Sequence, residues 1–141
     1  MSETSNQAVY RSTTALAANI ATILFGIVIV LQLLMAIGIL PVTMFWGGRQ
    51  TELTLGLRLT GVAAAIILAL FAYVIRRRAG LISSPPPSTL IKILSWVITA
   101  FMVFNTLGNL TSQSMTEKII FTPLTILLAI CCFIVSISKS S

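Results

Sequence analysis

An all-α fold of four transmembrane helices, paired as two helical hairpins, is what three features of the sequence predict. Hydrophobic residues make up 57% of the 141-residue chain and charged residues only 9%, with a mean hydropathy of +1.03. Long uncharged runs recur along the chain. Midway stands the stretch R-R-R-A-G-L-I-S-S-P-P-P, from Arg76 to Pro87, with two apolar segments before it and two after. A soluble domain carries about 25% charged residues to cover its surface, so most of this surface is expected to face lipid. The chain reads as one multi-pass domain, 1–141, with helices over about 12–40, 57–78, 89–110 and 117–138.

The net charge of +6 is therefore read as a topology signal, not as a nucleic-acid footprint. There is no His and no Asp, and the acidic residues are Glu3, Glu52 and Glu117. That inventory excludes most metal sites, Ser-His-Asp triads and carboxylate dyads, and no cofactor is expected. Cys131 and Cys132 are adjacent in an apolar run, where helical neighbours point about 100° apart, so they read as apolar fillers and not as a disulfide.

Element by element, residues Met1 to Tyr10 are polar and expected to be frayed. From Ser12 to Leu40 no charge interrupts the chain, and Pro41 ends the run. This exceeds the roughly 20 residues that span a bilayer and the about 7–15 of a signal-peptide core, so it reads as a permanent first helix. In the following connection Gly47-Gly48 marks a turn and Trp46 an interface anchor. The second span lies between Arg58 and Arg76, whose side chains can snorkel. Gly61, Ala65 and Ala69 form a small-residue stripe on it, and Ala18, Thr22 and Gly26 form another on the first helix. The two stripes are expected to face each other. Ser88 or Thr89 is placed to cap the third helix. Thr116 is placed to cap the fourth, with Pro123 bending its first turns.

Orientation follows from the basic residues. Arg11, Arg76, Arg77, Arg78, Lys92 and Lys139 fall at one end of such a bundle; Arg49, Arg58 and Lys118 fall at the other. The positive-inside bias then puts both termini and the central loop in the cytoplasm, in a cell (inner or plasma) membrane.

Three four-helix families fail on single residues. Small multidrug-resistance transporters require a glutamate in the first helix, quinone-linked thiol oxidoreductases a spaced cysteine pair, and claudin-type proteins cysteines in the first loop. By contrast N-T-L-G-N, Asn105 to Asn109, followed by E-K-I-I-F-T-P-L-T, Glu117 to Thr125, resembles the C-terminal half of small bacterial four-helix integral membrane proteins. The resemblance covers the last 50 residues or so, and implies a membrane bundle without any attached activity.

Polar residues concentrate toward the end opposite the arginine cluster. Gln32, Arg58, Asn105, Asn109, Thr122 and Glu117 form the candidate polar pocket, with Asn105 and Asn109 on one helix face. Asn105 is expected to point into the bundle and to hydrogen-bond a neighbouring helix. The leading functional expectation is a non-enzymatic accessory or interaction subunit, with the lipid bilayer and a membrane-protein partner or second copy as its contacts. The alternative is an oligomeric transporter or pore for a small neutral solute. An enzyme is the weakest, because it would have to run on Glu52, Glu117, Arg49, Arg58 and a hydroxyl, without His, Asp or a metal.

Overall fold

The computed structural model describes residues 2–82 and 86–139. Its helices are α1 Glu3–Ala36, α2 Leu55–Arg78, α3 Thr89–Leu110 and α4 Thr122–Ile137, the last entered through a π-helical turn at Glu117–Phe121. Two 3₁₀ turns, Val42–Met44 and Trp46–Gly48, lie between α1 and α2, and no strand occurs among the described residues. With Glu117–Ile137 taken as one helix, all four are long and apolar enough to cross a membrane, the architecture of a multi-pass membrane protein. Packing is densest within α1–α2 and within α3–α4, while the α2–α3 seam is sparse. Two antiparallel hairpins result. The connections α1–α2 and α3–α4 share one end of the bundle, the loop end, where Gln113 N donates to Gly47 O at 3.0 Å. Of the expected central loop, Ser83, Ser84 and Pro85 lie outside the described residues.

α1 departs from expectation at both ends. It begins at Glu3, not near residue 12, and its first turns are exposed helix. Nothing from Glu3 to Arg11 is Gly or Pro, and each residue added to an existing helix gains one hydrogen bond; Glu3 in the first turn also complements the helix dipole. At about 1.5 Å per residue, the 34 residues of α1 outrun a hydrocarbon core of roughly 30 Å. It stops at Ala36, not Leu40, because Gly38 takes φ 87°. Gly38 N then donates to Met35 O at 3.0 Å and Ile39 N to Leu34 O at 2.9 Å, a Schellman ending. α2 ends the same way on Gly80, with φ 75°. Ser88 caps α3, its side chain accepting from Ile91 N at 3.4 Å.

The fourth helix is capped by Ser114, not by Thr116, which is itself helical and makes no side-chain cap bond. Ser114 Oγ accepts from Glu117 N at 3.3 Å. Pro123 has no N–H to continue the α-helical ladder. The backbone widens ahead of it into the π turn, and Thr122 N reaches back to Glu117 O.

The arginine run is tied to its surroundings by hydrogen bonds. Arg76 Nη1 donates to Asn19 Oδ1 at 2.9 Å, tying α2 to α1, and Arg77 Nη1 donates to Ile82 O at 3.2 Å. Arg78, only 7% exposed, donates from Nη2 to Ser136 O at 3.1 Å and also to Ser138 O. At the other end of α2, Arg58 Nη1 donates to Ala36 O at 2.9 Å. The C-terminal ends of α1 and α4 thus each place a carbonyl on a guanidinium of α2, and a cation at a helix C-terminus is favoured by the macrodipole.

The main core joins Ala18, Ala21 and Phe25 of α1 with Ile75 of α2, Met102 of α3, and Leu128, Cys132 and Val135 of α4. A smaller core at the loop end holds Met35, Val42, Phe45 and Phe121, with the Phe45 and Phe121 rings 5.5 Å apart.

The α1–α2 contact uses Gly61 but not the expected partners. A Cβ on Gly61 would lie 2.9 Å from Met35 Cε and 3.3 Å from Ala36 Cβ, whereas one on Gly26 would meet nothing within 4 Å. Leu68 is buried in line with Gly61 and Ala65, while Ala69 is exposed. Antiparallel register is the reason: Arg58 meets Ala36 and Arg76 meets Asn19, so Gly26 sits about two turns away from Gly61 along α1. Gly61→Leu should lower stability by about 1–3 kcal/mol through overpacking. Wild-type thermal stability of that variant in detergent would show that the contact yields without cost.

Candidate functional site

A cavity of about 360 Å³ lies toward the loop end, between all four helices and under the α1–α2 connection. α1 contributes Val28 and Gln32, α2 Leu68, and α3 Met102, Asn105, Gly108 and Asn109. Glu117, Phe121, Thr125 and Leu128 line it from the last helix, and Phe45, Trp46 and Gly47 from the connection. A second lobe of about 320 Å³ adjoins it through Gln32, Trp46, Leu68 and Asn105, and runs between α2 and α3 along Thr60, Ala63, Ala64, Ile67 and Phe101. Volumes of this size are at the lower end of the roughly 300–1,000 Å³ of small-ligand sites.

Of the six residues expected to form a polar pocket, the structure brings four to this cavity: Gln32, Asn105, Asn109 and Glu117. Arg58 stands outside it, exposed, on the end of α1. Thr122 is also outside, buried in the π turn with its Oγ1 donating to Glu117 O at 3.1 Å.

The four differ in how they are satisfied. Asn109 makes the cross-helix bond, from Nδ2 to Thr125 Oγ1 at 3.3 Å, and Thr106 Oγ1 reaches the same hydroxyl at 2.9 Å. Asn105 was expected to make such a bond and does not. It is exposed at the cavity rim and has no hydrogen-bond partner among the described residues. One helical turn separates the two asparagines, and α4 approaches α3 at Asn109. Gln32, half-buried on α1, has its Oε1 buried without a partner. Both amides lie within about 8 Å of the loop-end termini of their helices, at about 1.5 Å per residue. An unpaired buried polar atom costs roughly 1–3 kcal/mol, so Gln32 Oε1 marks where the cavity is chemically incomplete.

Glu117 holds the cavity's cover in place. Only 8% exposed, its carboxylate accepts from Gly47 N at 3.1 Å through Oε2 and from Ser112 Oγ. Ser112 Oγ in turn accepts from Ser114 N at 2.9 Å. The motif is a capping box, Ser114-Met115-Thr116-Glu117, in which the glutamate of a simple box would bond Ser114 N itself. Here Ser112 takes that donor, and the carboxylate is free to draw in the α1–α2 connection. The S-x-x-E spacing was present in the sequence as a signal; the Ser112 relay and Gly47 were not foreseeable from spacing. Trp46 completes the cover with φ 54°.

No protein-family model matches the chain, and neither a curated protein nor a solved structure matches it.

Proposed function

We propose that the chain is a non-enzymatic membrane protein that binds a small neutral solute in the loop-end cavity, as an oligomeric transporter or pore subunit. One observation carries this reading: the buried, unpartnered Oε1 of Gln32 faces the same cavity as the unpartnered amide of Asn105. A structural pair of amides would bond each other or a neighbouring helix, as Asn109 does with Thr125. Amides offer both donors and acceptors without charge, which suits a neutral polar ligand.

A second reading, an interaction subunit, is favoured by the sparse α2–α3 seam, where Ala63 and Ala64 would admit a partner helix closely. Under both readings the protein lies in the cell membrane with its termini cytoplasmic. The six-to-three division of basic residues supports that orientation.

Cysteine labelling tests orientation and cavity together, since Cys131 and Cys132 are buried. Gln50→Cys should react with an impermeant reagent added outside, and Leu81→Cys only after permeabilisation. The reverse pattern inverts the orientation. Asn105→Cys should react with a small neutral maleimide, because a thiol needs water to ionise. A silent thiol there, beside a reactive Gln50→Cys, would remove the solute-binding reading.

A further inference from the structure

Resting on the ligand-binding reading above, we propose that the ligand reaches the cavity from the bilayer. It would be a single-chain amphiphile with a neutral hydroxyl-bearing head, held by Gln32 and Asn105, with its tail in the α2–α3 slot. The second lobe is the basis. Its lining is mostly apolar, with Gln32, Thr60 and Asn105 as the polar members, and none of these lining residues is charged. Ile67 and Phe101, which border it, are both nearly half exposed, at 47% and 49%. The slot therefore opens on the lateral surface of helices apolar enough to span a membrane, where lipid tails and not water are the surroundings.

Its limits are defined. Toward the terminal end the seam closes where the Phe71 and Phe101 rings meet at 5.5 Å, edge to face. Toward the loop end Trp46 borders both lobes. Between these limits, Thr60 to Ile67 on α2 spans about 10 Å at 1.5 Å per residue, room for part of one chain. The unpartnered amides stand where the apolar slot meets the main cavity, so the polar head of a molecule lying in the slot falls beside them.

Charge excludes other heads. Among the described residues, Glu117 is the only charged side chain lining either lobe, and its carboxylate is already engaged by Gly47 N and Ser112 Oγ. An anionic head would enter without a cation, and a cationic head would have to displace that clasp. A neutral head with both a donor and an acceptor pairs with two amides and leaves nothing charged unpaired.

The test uses the full chain in lipid nanodiscs with a diazirine-bearing monoacylglycerol. Photolabelling should map to the segment around Ile67 and Phe101. Unlabelled monoacylglycerol should compete for it, while free glycerol and a fatty acid at pH 8 should not. Gln32→Leu with Asn105→Leu should weaken labelling about tenfold, the loss of two hydrogen bonds of ordinary strength. Asn105→Leu alone, a change at an exposed position, should weaken it about threefold and guards against misfolding of the pair. Effective competition by glycerol would show a ligand taken from water, and competition by the fatty acid would show no preference for a neutral head. Undiminished labelling of both variants would mean tail adsorption without head recognition. Each of these overturns the inference and leaves the cavity reading standing, provided Asn105→Cys still reacts with maleimide. Absent labelling together with a silent Asn105→Cys would remove both.

Discussion

Replacing Glu117 with leucine should cost about 3–5 kcal/mol of stability and release the connection between α1 and α2. The carboxylate is the shared acceptor for Gly47 N and Ser112 Oγ, and hydrogen bonds to a charged group are worth about 1.5–3 kcal/mol each. Leucine fills a similar volume but accepts nothing, so the half-buried Gly47 N–H and the buried Ser112 hydroxyl would lose their acceptor. Glu117→Gln keeps an acceptor oxygen in the same place and should lose about half as much. Two readouts separate clasp from core. Unfolding in detergent gives the loss of stability, and amide exchange at Gly47 reports whether the connection has lifted. Wild-type protection of Gly47 in Glu117→Leu would mean that packing of Phe45 on Phe121 holds the connection without the carboxylate. The cavity's cover would then not depend on Glu117.

What the sequence made legible divides along a physical line. Features set by local composition were readable: four spans, short connections at the loop end, and a cap at Ser88 or Thr89, of which Ser88 serves. Those features need only the thickness of a membrane and the spacing of a helix. Features set by register between helices were not. Small-residue stripes were visible along α1 and α2 separately, but spacing along one helix says nothing of which turn meets which. Gly61 therefore faces Met35 and Ala36 instead of Gly26.

Asn105 and Asn109 show the same limit at the candidate site. Both share a helix face, and four residues decide which of them meets α4. The arginine run was read as charge alone, because no sequence rule predicts that Arg78 would turn inward to the last carbonyls of α4. Its Nε and Nη1 are buried without a partner among the described residues, so this brace carries a desolvation cost that a purely topological arginine would avoid. α1 reached back to Glu3 for a simpler reason. Polarity of the first residues says that they are outside lipid, and an exposed helix is also outside lipid.

Gly48→Val should be at least as damaging as the loss of the Glu117 clasp, with a loss of about 3 kcal/mol or more. Two independent costs fall on one residue. Gly48 has φ 71°, where a β-branched side chain is strained by about 1–3 kcal/mol. A Cβ there would also stand 2.7 Å from Ser114 N and 3.1 Å from Gln113 C. Those atoms are backbone, held by the bond from Gln113 N to Gly47 O at 3.0 Å and by the Ser112 relay, so they have no rotamer by which to withdraw. The two connections must move apart, and Gly47 N then leaves the Glu117 carboxylate. Gly47→Ala provides the contrast. That residue shares the positive φ at 77°, but a Cβ on it would meet nothing within 4 Å. It should pay only the backbone strain, about 1 kcal/mol. Comparable losses for the two variants, measured by unfolding in detergent, would mean that backbone conformation alone sets the cost. The close approach of the two connections at Gly48 would then be slack enough to accept a side chain.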